Sequence, residues 1–419
     1  MKIFSFLLFS IIFTGIVSAS DFQTYRDSTI FYSEKQDYKL ALKWSHLTLQ
    51  AAEKEFGKSD SNFILTLVNH ADNYRNLNQL DSAINTIESN FSIINNTYPN
   101  EHSHKILIYQ YLAEFYEKKS VYKTAEKYYN DAYKMNKKLF GLNNFVSAIL
   151  IQRLSSINRN MGRYDIAENF YSVGLKVFPN VFPDGEVNYA IFLNSYATYK
   201  KIIGDYKSSE ENYLNAVNMM KNLNLESDIN YVTFTNNLGS FYFGVANYEK
   251  SKEYFNKALQ YFNKISKLIA TLYHNLAFID YMLENYESAE TLFLKAIEIK
   301  RRVFKDLHND IAVSLKGLGD LYSDIKNYEK SENCYKEAIE IRRKIFKESH
   351  PDLGNAINSL GFLYFDKLHN YEKAIPLFNE ALFINSKFYK KNNLESVSTL
   401  RNAALAFEYI GQIKKADSL

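Results

Sequence analysis

The sequence predicts an all-α solenoid of about ten helix-turn-helix repeats. One pattern of small and aromatic residues recurs about every 42 residues, glycine and proline are scarce (14 and 5), and 46% of the chain is hydrophobic. Composition of this kind is too apolar for disorder and too poorly punctuated for an all-β domain. The leading residue of each repeat reads Tyr38, Leu80, Tyr122, Tyr164, Tyr206, Tyr248, Tyr286, Tyr328, Tyr371 and Ile413. The intervals are 42 residues except for 38 before Tyr286 and 43 before Tyr371.

Three further columns keep register. A small residue stands nine positions before the leading aromatic (ten in the Tyr371 repeat), as in Ala71, Ala113, Ala197, Gly239, Gly319 and Gly361. Another stands three positions after it, as in Ala41, Ala125, Ser209, Ser251 and Ser331. A third stands ten positions after, where Asn90 is the exception. Between the last two lies an apolar, mostly aromatic position from Ile87 to Phe378, which Ser45 breaks.

Apolar residues three, four and seven apart put one stripe on each of two helices per repeat. Small residues let those helices approach, and the aromatic fills the space between them. In the eighth repeat, helix A is predicted from Asp310 to Ile325 and helix B from Tyr328 to Phe346. Gly162, Gly204, Gly411 and Asn78 stand two residues before the leading residue, where a left-handed conformation ends helix A. The proline-rich stretch Phe178 to Gly185 is expected to loosen the junction of the fourth and fifth repeats. The 38-residue interval removes about one helical turn near Tyr261 to Lys267. Helix B of the tenth repeat stops at Leu419, so the last repeat reads as incomplete.

Residues 1–19 stand apart: Lys2, an apolar run from Ile3 to Val17, then small residues through Ala19. This is the layout of a secretory signal peptide, with the run short for a transmembrane helix. The two segments are therefore a signal peptide, 1–19, and a solenoid, 20–419. The expected location is outside the cytoplasm, periplasmic or secreted, with a bacterial host preferred.

Charge is nearly balanced, 50 basic against 47 acidic residues, which argues against nucleic acid as a partner. No membrane contact is expected beyond the export signal. The single cysteine, Cys334, shares a column with Trp44, Phe170 and Leu377 and reads as buried packing. His102, His308 and His350 form one repeat column, and His104 falls in a column of helix N-caps with Asp310 and Asp352. With no phosphate loop, nucleophile elbow or zinc motif in the sequence, neither enzyme activity nor a cofactor or metal is expected.

The spacing in Gly319…Tyr322…Ser331…Tyr335…Ala338 resembles the tetratricopeptide repeat, and the 42-residue period, with His350–Leu382, resembles its kinesin-light-chain variety. The resemblance implies a right-handed superhelix and a concave groove lined by helix A. Its groove column here reads Val68, Gln110, Gln152, Asn194, Asn236, His274, Lys316, Asn358 and Arg401, and one turn on Arg75, Glu117, Arg159 and Lys201 make the N-terminal groove charged and mildly basic. Amides offer donor and acceptor together, which suits recognition of a peptide backbone. The expected function is a non-enzymatic scaffold for protein segments or extended peptides. The alternative is the N-terminal part of a larger protein, such as a CHAT protease or a repeat-containing sensor, in which the repeats position a substrate or regulator.

Overall fold

The computed structural model describes residues 20–261, 267–346, 350–388 and 394–416. The expected signal segment, 1–19, lies outside them, as does the end of the chain from residue 417. The chain divides into two units, residues 1–195 and 196–419. The described residues contain helices and no strand.

The first unit is a run of helix pairs. α1 (Asp21–Glu34) packs on α2 (Tyr38–Phe56), and α3 (Ser61–Asn76) is followed by α4 (Leu80–Glu88) and α5 (Phe91–Thr97). Then come α6 (Ser103–Lys118) with α7 (Tyr122–Phe140), α8 (Phe145–Asn160) with α9 (Tyr164–Val181), and α10 (Val187–Ile202), in which the division falls. The helix B broken into α4 and α5 is the one that carries Asn90 in place of a small residue. Asn90 Nδ2 donates to the Thr86 carbonyl at 3.0 Å, giving the backbone a local alternative to continuing the helix.

The second unit continues with α11 (Tyr206–Asn222), α12 (Ile229–Gly244), α13 (Tyr248–Gln260), α14 (Lys267–Met282) and α15 (Tyr286–Phe304). It ends with α16 (Asn309–Asp324), α17 (Tyr328–Phe346), α18 (Pro351–Phe362), α19 (Tyr371–Phe388), α20 (Leu394–Tyr409) and α21 (Ile413–Ala416). α16 starts and ends one residue earlier than predicted, and α17 has the predicted bounds. The short interval falls on helix B: α13 has 13 residues where α15 and α17 have 19. The 43-residue interval has a different solution. α18 runs into a π-helical turn, Leu363–Lys367, which absorbs the extra residue without shifting the stripe on either side.

Each helix A ends at a left-handed residue, and Asn78, Gly162, Gly204 and Gly411 are among them with φ from 60° to 82°. Non-glycine residues share this column, including Ala246 at 59° and Lys326 at 63°. The following N–H reaches back to the helix, as Asn247 N does to the Tyr242 carbonyl at 2.9 Å, satisfying a terminal acceptor.

The small columns explain the close approach. Ser209, Ser251 and Ser331 on helix B donate to the carbonyls of Ala197, Gly239 and Gly319 on helix A at 2.8–2.9 Å. A Cβ on Gly319 would meet the Tyr335 ring at 2.8 Å.

Two expectations need correction. The N-cap is the histidine column itself, not that of His104. Nδ1 of His102, His308 and His350 accepts from the N–H two residues on at 3.1–3.2 Å. Each ring stacks on a preceding aromatic, Tyr98, Phe304 or Phe346, at 3.8–4.0 Å, so the ring's packing selects it over a smaller cap. The proline-rich junction is also tight up to Ser195. Pro179 lies inside α9, and Phe178, fully buried, stacks on Phe192 at 4.3 Å.

Candidate helix-A binding face

Successive A helices place equivalent residues side by side, about 40 positions apart, and their side chains touch. In the first unit Ser156 of α8 bonds Ser195 of α10 through the two hydroxyls at 3.0 Å. Arg159 Nη1 donates to the Ser195 hydroxyl and carbonyl, each at 3.1 Å, and the Tyr171 hydroxyl also meets Ser195 Oγ, at 2.9 Å. Arg75 pairs with Asp72 at 2.6 Å. Gln110 is buried, and Gln152 and Asn194 are half-buried.

Residues that the groove column alone does not single out complete this stretch. Arg153 of α8 reaches Glu114 at 3.3 Å and Glu117 at 3.9 Å on α6, and the Tyr129 hydroxyl donates to Glu117 at 2.8 Å. The first unit's face was expected to be mildly basic. Instead much of its charge is matched locally: Arg75 by Asp72, Arg153 by two glutamates. The signal was present in the sequence, because Asp72 and Glu114 stand directly after the small column.

In the second unit Lys201 Nζ donates to the Ser240 carbonyl at 3.3 Å, and burial lowers its pKa. Asn275 Nδ2 donates to Asn236 Oδ1 at 3.3 Å. Lys316 is paired with Asp320 at 2.8 Å. Asn358 is half-buried and its Oδ1 is a shielded acceptor without a partner. His274 turns toward the core: Nδ1 lies 3.0 Å from Ser314 Oγ, and the ring meets Phe293 edge-on at 5.6 Å. Burial first, then nearby Lys300, hold its pKa down at about 3.

At α12 and α14, three of the places that carry charge in the first unit's α3 and α6 carry rings. Phe243 meets Phe278 at 5.9 Å, and Phe278 meets Tyr281 at 5.9 Å. All three are half-buried, so each keeps some surface toward solvent. The Asn236–Asn275 pair and the three rings further along the same helices form a combination suited to holding an extended backbone and one or more apolar side chains.

Burial pushes the Cys334 thiol up to about 11, which keeps it protonated and unreactive at neutral pH. Among the described residues no three His, Cys, Asp or Glu side chains come together to hold a metal ion, and no helix is long and apolar enough to cross a membrane.

Two family models, both described as tetratricopeptide repeat, match residues 268–344 and 235–264. Those two stretches are tetratricopeptide repeats. The chain is similar in fold to the apo form of RapI, at 16% identity, covering 87% of this chain and 98% of that one, with a TM-score of 0.60. It is also similar to a signal transduction ATPase with a tetratricopeptide repeat sensor, PH0952 from Pyrococcus horikoshii. There the identity is 15%, 88% of this chain and 53% of that chain are covered, and the TM-score is 0.59. A third structure, BtubC (BKLC) from P. vanneervenii, is 20% identical over 59% of this chain and 93% of its own, with a TM-score of 0.45. No curated protein matches the sequence. Tetratricopeptide repeats generally mediate protein–protein interaction, and the repeats seen here are of that kind.

Proposed function

We propose that this chain is an exported, non-enzymatic scaffold that binds an extended peptide segment of a partner protein along its helix-A face. The observation that carries the reading is the side-by-side array on successive A helices. Asn236 and Asn275 supply amides, and Phe243, Phe278 and Tyr281 supply partly exposed rings beside them. Affinity in such a groove is spread over many contacts, and the rings are the expected centres of it. Export rests on the character of residues 1–19.

The binding test is selection from a random peptide library on the purified chain, followed by affinity measurement with Asn236→Ala, Phe278→Ala and Tyr281→Ala. Loss of about 1–3 kcal/mol per substitution supports the proposal. Selected peptides that bind all three variants as well as the parent place the site elsewhere. Intact mass of the mature protein tests export: removal of residues 1–19 lowers it by about 2 kDa, and an unchanged mass removes that part of the reading.

A further inference from the structure

The first repeat departs from the pattern where the helix-B ring belongs. Tyr129, Tyr171, Tyr213, Phe255, Phe293, Tyr335 and Phe378 occupy that place later in the chain, and all are buried. In α2 the residue is Ser45. His70 of α3 reaches it instead: the ring is buried, with Nδ1 2.8 Å from Ser45 Oγ, which itself donates to the Leu42 carbonyl at 2.9 Å. A titratable ring from the next repeat thus stands in for an inert one, at the contact between the first helix pair and the rest of the unit.

We propose that His70 is a pH-operated latch, which holds α1 and α2 against α3 while neutral and releases them in acid.

The surroundings set the direction. From α2 the ring faces His46, with centroids 5.7 Å apart, and on its own helix it meets Tyr74 edge-on at 5.0 Å. Ser33 of α1 is close by, but its hydroxyl donates to Asn73 rather than to the ring. The influences that lower the pKa of His70 are burial first and His46 second, with no carboxylate from α4 or α6 among them, and they hold it down at about 4. A proton on His70 therefore places a charge in a dry contact beside a second histidine. With α1 and α2 detached, the imidazole regains its ordinary value of 6.5. The detached state then binds the proton more readily. Docking is at full strength above pH 6.5 and weakens as the pH falls toward 4. Between pH 7.5 and 5 the opening constant of the first pair rises roughly 30-fold.

Hydrogen exchange on the whole chain reads this directly. After correction for the intrinsic rate, protection of α1 and α2 is expected to fall roughly 30-fold between pH 7.5 and 5, against less than about threefold in α8 and α9. His70→Gln and His70→Phe cannot take the proton, and in either variant protection of α1 and α2 is expected to stay level. A fall shared equally by α8 and α9, or one that survives in both variants, overturns the latch. Trp44, the single tryptophan, lies on α2 with its ring 5.8 Å from Tyr25, and gives a reading that needs no variant. A shift in its emission while helical ellipticity holds supports the proposal; a single joint transition overturns it.

Discussion

The junction between α13 and α14 is held by a charge pair that its neighbours do not use, and removing the two partners separately should give unequal costs. At three other junctions a helix-B glutamate accepts from a tyrosine hydroxyl on the next helix A: Glu210 from Tyr242 at 2.5 Å, Glu290 from Tyr322 at 2.5 Å and Glu332 from Tyr364 at 2.7 Å. At the shortened repeat these two places are Lys252 and Asp280, paired at 2.5 Å, and Ser288 of α15 also donates to Asp280 at 2.5 Å. The Asp280 side chain is 2% exposed and that of Lys252 35%. Lys252→Met leaves a buried carboxylate with one hydroxyl partner, a situation that costs about 3–5 kcal/mol. Asp280→Asn leaves an ammonium that already reaches water, and should cost about 1–2 kcal/mol. Because repeat arrays open locally, exchange protection of α13 and α14 amides is the suitable assay, with a fall of at least about 150-fold for Lys252→Met. Equal losses for the two variants would refute the account.

Other expectations follow from single positions. Gly319→Ala gains about 1 kcal/mol of helix propensity but drives a Cβ to 2.8 Å from the Tyr335 ring, an overpacking cost of about 1–3 kcal/mol. Thermal unfolding should show net destabilisation, and a raised midpoint would contradict the packing argument. Ala246→Gly relieves a left-handed alanine at φ 59° and should stabilise the α12–α13 turn by up to about 1 kcal/mol, read by local exchange. His274, held at about 3 against an ordinary 6.5, binds its proton more readily when unfolded. Stability of the second unit should thus fall as pH drops below 6.5, and His274→Gln should flatten that slope in urea titrations.

The repeat number, the helix bounds of the eighth repeat and the left-handed turns were legible in the sequence, because each depends on residue type at a fixed spacing. Gly204 two residues before Tyr206 is enough to end a helix, whatever packs around it. The π turn at Leu363–Lys367 was legible only as an extra residue, since several local geometries absorb one residue and packing on α19 chooses among them. The histidine caps were misplaced by two positions for a similar reason. Asp and Asn are good caps in isolation, and only the stacking of His308 on Phe304 shows why an imidazole is used.

The binding face divides the same way. Spacing alone put Asn194, Asn236 and Asn358 in one column. Which members of the column stay available was decided by neighbours far off in sequence: Ser314 and Phe293 draw His274 inward, and Asp320 claims Lys316. A period determines which residues share a face, because helix geometry repeats along the chain. Charge matching, burial and the fate of His70 depend on contacts between helices, and those exist only once the repeats have stacked.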